Sequence, residues 1–220
     1  MGAVVAIYYL WPPGAGVLSR YAAWQQSGGV LGNGVAAALA GGVLSELSLV
    51  YFQDRGRWTR THVENLCFKF ALFFVAGCIV YEFYRLQAYW WGQGASVGVL
   101  VPKVIVDQFG YTVLIGTPYY ALLMRWHALR YSGARLWREL DWHFVTERML
   151  PILVVNWMFW IPAITFVYAM PTALQAPLYV FATAIWGLLV ATVGGKDPSS
   201  SVAHDSVAAA SPPMLADPAD

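Results

Sequence analysis

Charge is what this chain has least of. Only 11% of its 220 residues are Asp, Glu, Lys or Arg, where a soluble domain carries about 25%. Apolar residues make up 59% and the mean hydropathy is +0.53, so a polytopic membrane protein is expected rather than a water-soluble domain. The formal net charge is +1. That leaves no basic face for a phosphate backbone and excludes nucleic acid as a partner. Cysteine is scarce too. Cys67 and Cys78 fall in one helical pattern, roughly 16 Å apart at 1.5 Å per residue. A disulfide needs Cα atoms within about 7 Å, so the two cannot pair and are read as small apolar packing residues. His62, His127, His143 and His204 are scattered, with no His or Cys set at metal-ligand spacing. Neither G-x-S-x-G nor a P-loop is present. No cofactor, no metal and no enzymatic role are therefore expected. The opening MGAVVAIYYLWPPGAG has no basic region before its short apolar run, so no secretory signal or transit peptide is expected there. Gly2 lacks the downstream Ser or Thr of a myristoylation site.

Long apolar runs are what the chain does have. A helix needs about 20 mainly apolar residues to cross a bilayer. Stretches of that kind run over about 30–52, 62–84, 97–124, 149–168 and 174–193. The last two are split by Met170-Pro171-Thr172. Proline ends or kinks a helix, so four to five transmembrane helices are expected, with two segments favoured around Pro171. Residues 1–29 read as an N-terminal peripheral segment with a helix from Val17 to Gln26. Residues 30–193 read as a transmembrane helix-bundle domain. Residues 194–220 are rich in Ala, Ser, Pro and Asp and read as a disordered C-terminal tail. The fold class expected is an all-α polytopic membrane helix bundle.

Basic residues orient such a bundle. Arg55, Arg57 and Arg60 follow the first run, and Arg125, Arg130, Arg135, Arg138 and Arg148 follow the third. The loop between the second and third has only Arg85. The two Arg-rich connections therefore share the cytoplasm- or matrix-like side. Tyr84, Tyr89, Trp90 and Trp91 suit one interface, and Trp58, Trp126, Trp137 and Trp142 the other. Small residues four apart in and just before the first run, Gly28 and Gly32, Ala37 and Gly41, Ala38 and Gly42, predict close packing on another helix.

Four charges lie inside the apolar runs. In VPKVIVDQFGYTVLIGTPYY, Lys103 and Asp107 stand four apart. At 100° per residue, Ser96, Lys103, Asp107, Gly110 and Thr117 share one face, while Val101, Ile105, Phe109 and Thr112 fall on the other. The polar stripe must meet protein or water, because a lone charge at mid-bilayer costs about 3 kcal/mol on insertion scales. Lys103 and Asp107 are adjacent on it and are expected to pair. Glu46 lies near the end of the first run and Lys69 near the start of the second, each roughly 10 Å deep at 1.5 Å per residue. They are expected to form a salt bridge between antiparallel helices. A structural ion-pair network, a polar pore lining and a proton relay all remain open for these four charges. His62 is read as interfacial.

Lys103-Val-Ile-Val-Asp107-Gln108 resembles the K-x-x-x-D-Q motif of the Mpv-seventeen / peroxisomal-membrane-protein-twenty-two family. Asn156-Trp157-Met158-Phe159-Trp160-Ile161-Pro162, then Phe166, Pro171 and Trp186, is similar to that family's carboxy-terminal signature. Phe83-Tyr84-Arg85-Leu86 is similar to its W-Y-x-x-L. The chain departs from the pattern at Val113, Thr165, Gln175 and Val43, and in the spread of W-P to Trp160-Ile161-Pro162. The resemblance covers about residues 20–192 and implies a small multi-spanning protein of the mitochondrial inner or peroxisomal membrane. It also implies channel-like or transport-like permeability for ions or small metabolites. Pore or ion-pair candidates are Lys103, Asp107, Gln108, Glu46 and Lys69. The alternative is a non-conducting structural membrane protein whose charges lock helix packing. The lipid bilayer is the expected partner, with self-association into a homo-oligomer left open.

Overall fold

The computed structural model describes residues 9–52, 54–92, 96–170 and 172–194. Among these there are seven helices and no strand. Helix α1 is Pro12–Ser27, α2 Gly29–Phe52, α3 Arg60–Trp91, α4 Val97–Ala128, α5 Gly133–Glu139, α6 142–169 and α7 Thr172–Gly194. Four helices are long and apolar enough to cross a membrane: α2, α3, α4 and the Trp142–Val167 part of α6. The chain thus has the architecture of an all-α, multi-pass membrane bundle. Helix α7 has 23 residues and packs on α1, α2 and α6. The expected tail lies outside the described residues apart from Gly194, as do residues 1–8 of the N-terminal segment.

Local chemistry sets the helix ends. The Thr59 hydroxyl accepts the His62 backbone N–H and starts α3, as an N-cap oxygen does. Gly92, at φ 77°, ends it. The Asp141 carboxylate caps α6 by accepting from Phe144 N at 2.9 Å. Met170 is extended, at φ −89° and ψ 157°, the conformation favoured before proline. The break between α6 and α7 follows from that.

The small residues of α2 let three backbones approach. A Cβ added to Gly42 would lie 2.9 Å from the Lys69 carbonyl oxygen, and one on Gly187 would lie 2.7 Å from that of Gly41. The Phe73 ring fills the space over Gly41. Helix α2 is therefore held between α3 and α7, as its small-residue spacing predicts. Leu72, Phe73 and Trp186 form the buried core beside this contact.

Both Arg-rich connections lie at one end of the bundle. Arg130 bonds Glu64 at 3.2 Å, and the His127 ring stacks on Phe68 with centroids 4.1 Å apart. At the same end the Arg125 guanidinium grips Glu139 at 2.6 and 2.8 Å. That contact holds the Glu139 carboxyl below the usual carboxylate range.

Three helices contain π-turns, at Ala38–Val43, Val106–Gly116 and Val145–Met149. Just past the second, Thr117 N–H donates to the Thr112 carbonyl five residues back. A π-helix advances its buried face every five residues, where an α-helix advances it every three or four. Asp107, Thr112 and Thr117 are all buried at that spacing. The 100° wheel places Thr112 on the lipid face, and the structure corrects this: the π-turn carries it inward. Val101, Ile105 and Phe109 do face outward, about half exposed.

Candidate functional site

The structure divides the four intramembrane charges between two clusters. At the Arg-rich end, Glu46 of α2 is fully buried. Lys69 Nζ donates to its Oε2 at 2.5 Å, so the expected salt bridge is present. His62 Nδ1 lies 3.0 Å from Glu46 Oε1, and its Nε2 lies 3.4 Å from Asp54. His62 is thus part of the buried cluster rather than a free interfacial residue. Its place one turn inside α3, on the face of Asn65 and Lys69, aims it at α2. Each Glu46 oxygen meets a donor on α3, Lys69 or His62, and that suits helix locking.

The second cluster overturns one expectation. Lys103 and Asp107 do not pair. Lys103 Nζ reaches back to donate to the Gly92 carbonyl at 2.7 Å. That carbonyl is at the C-terminus of α3, where unpaired acceptors and the negative end of the helix dipole favour a cation. Lys103 therefore caps α3 instead of balancing Asp107. Asp107 Oδ2 accepts from the Tyr84 hydroxyl at 3.0 Å. No cation lies within ion-pair distance of its carboxylate among the described residues. Neighbouring polar groups pin the helices around it: Gln87 Nε2 donates to the Lys103 carbonyl at 3.1 Å, and Trp157 Nε1 donates to the Gln108 carbonyl at 2.8 Å.

Asp107 and Gln108 line a cavity of about 140 Å³ between α3, α4, α6 and α7. It extends along α3 from Tyr84 to Leu72, roughly 18 Å at 1.5 Å per residue. The centre of α3 lies within that interval. Toward the Arg-rich end the lining stops at Leu72, Phe73 and Tyr120. There the core of Leu72, Phe73 and Trp186 closes it off from Lys69, one turn further along α3. Polar groups from Thr112, Asn156 and Thr183 also line it. Space of this size and polarity holds several waters.

Of the signature residues, Trp160 and Trp186 line this cavity with Asp107 and Gln108. Pro162 and Phe166 face outward on α6, and Pro171 lies outside the described residues. Tyr84 turns inward to Asp107, although its position suggests an interfacial anchor. Tyr89 and Trp90 remain exposed, as expected of anchors. Asn156 entered only as part of the signature, and Tyr111 and Gln87, which carry no charge, gave no signal of their own. Among the described residues no group of three His, Cys, Asp or Glu could hold a metal ion. No family model, curated protein or solved structure matches this chain.

Proposed function

We propose that this chain is a small non-enzymatic membrane transport protein that takes a small cation or polar solute through the Asp107 cavity. One observation carries the reading: a carboxylate with no cationic partner among the described residues is buried at the Tyr84 end of a polar space that reaches the centre of α3. A buried ionisable group in a membrane segment is costly and marks a site by default. A binding space that reaches the centre of α3 and is closed toward one end suits transport by a protein that opens alternately. The motif resemblance supports the same reading and suggests the mitochondrial inner or peroxisomal membrane as its location. In the test, purified protein is reconstituted in liposomes, and uptake of rubidium and methylammonium is driven by an inside-negative potential. Wild type takes up at least one of these cations above empty liposomes, and Asp107→Asn loses most of that uptake. No uptake by wild type of either cation overturns the reading.

A second reading has its own observation. The cavity is closed toward the Arg-rich end by Leu72, Phe73 and Trp186, and both Glu46 oxygens are bonded. A non-conducting structural protein would look the same. In that case charge substitutions change stability and no solute crosses.

A further inference from the structure

The geometry points to a small primary ammonium ion as the occupant of the Asp107 cavity, a substrate class that rests on the transport reading above. The acceptors come first. Asp107 is 5% exposed. One of its oxygens is held by Tyr84, and the other meets no donor among the described residues. Next to it, Gln108 is 3% exposed, and its Oε1 is buried without a hydrogen-bond partner. Leaving a buried acceptor unpaired is costly. A ligand that donates hydrogen bonds and carries positive charge satisfies the open Asp107 oxygen. A carboxylate or phosphate ligand does not. No Lys, Arg or His lines the cavity among the described residues, so nothing there repels a cation, and Lys103 is engaged elsewhere.

The walls come second. Tyr84, Tyr179, Trp160 and Trp186 form an arc of rings along one side, with successive centroids 6.1, 5.6 and 6.3 Å apart. Aromatic faces attract ammonium groups and pack against short alkyl bodies. They cannot replace the water shell of an alkali ion, which needs oxygen ligands. Size comes third. The volume of about 140 Å³ is close to that of an engineered cavity of about 150 Å³ that holds benzene. A short alkylammonium fits that limit. A tetraalkylammonium has no N–H to offer Asp107.

The test uses the full chain in nanodiscs, with empty nanodiscs as blanks. Titration calorimetry compares n-butylammonium with 1-butanol, its neutral isostere, and with potassium and tetramethylammonium. Butylammonium binds at least ten-fold more tightly than each of these. Asp107→Asn weakens it at least ten-fold, and Trp160→Leu several-fold. A second measurement needs no variant. Butylammonium protects Asp107 of wild type from a hydrophobic carbodiimide, read by peptide mass, and 1-butanol does not. Binding no tighter than that of 1-butanol, or no protection, overturns the inference. If rubidium uptake persists in that case, the transport reading stands without it. If butylammonium binds but no cation is taken up, the site stands and the transport reading falls.

Discussion

Glu46 and Lys69 offer the sharpest energetic test of the bundle. Their charged atoms are 2.5 Å apart, and their side chains are 1% and 13% exposed. At an effective dielectric of 20 the attraction is about 7 kcal/mol, offset by several kcal/mol of desolvation per ion. The intact pair therefore contributes little net stability. Removing one partner is different, because the other stays buried and unbalanced, at a cost of about 3–5 kcal/mol. Lys69→Met should fall in that range. Glu46→Gln should cost about 3 kcal/mol, since the amide still offers an acceptor to Lys69 and His62. The double variant should lose at least about 1.5 kcal/mol less than the sum of the two losses, as coupled contacts do. Reversible unfolding in mixed micelles titrated with denaturing detergent measures all three. Losses that simply add would refute the coupling and the locking role.

Other consequences follow from packing, topology and titration. Gly187→Ala places a methyl 2.7 Å from the Gly41 carbonyl oxygen and should cost about 1–3 kcal/mol in the same unfolding assay. Gly98→Ala, with open space around it, should be near neutral. Cysteines placed at Gly56 and Ser132, in a Cys67→Ser and Cys78→Ala background, should label from one side of sealed vesicles. Labelling from opposite sides contradicts the bundle. The folded-state pKa of Glu139 is lowered by Arg125, so its contribution is fully present above the ordinary carboxylate value, about 4.3. It is lost as pH falls through the folded value. The Tm gap between wild type and Glu139→Gln should be constant near neutral pH and shrink below about pH 4.3. A gap that widens in acid contradicts this sign.

Depth counting made the Glu46–Lys69 contact legible. Both residues lie near helix ends joined by a short connection, so sequence distance maps onto membrane depth. The stripe on α4 was less so. It assumes 100° per residue, and the π-turn at Val106–Gly116 breaks that step. The buried polar set becomes Lys103, Asp107, Gln108, Thr112 and Thr117, and no local residue preference marks the π-turn in advance. The Lys103–Asp107 pair failed for another reason. Four-residue spacing allows contact, but a long lysine chain near a helix end can reach a free carbonyl, and Gly92 supplied one. Tyr84 and His62 are amphipathic residues near helix ends, where facing lipid headgroups and facing the bundle are equally compatible with the pattern. Trp160 and Trp186 could be placed beside Asp107 only by the packing of α6 and α7 on α4 and α3.

The reversal potential of the reconstituted protein under a potassium chloride gradient tests most directly whether Asp107 governs a cation path. Wild type should reverse on the potassium side of zero, and Asp107→Asn, with its carboxylate gone and Lys103 still on Gly92, should move toward zero. The absence of wild-type current both with potassium and with methylammonium in its place, or the same reversal potential in both proteins, would contradict the account.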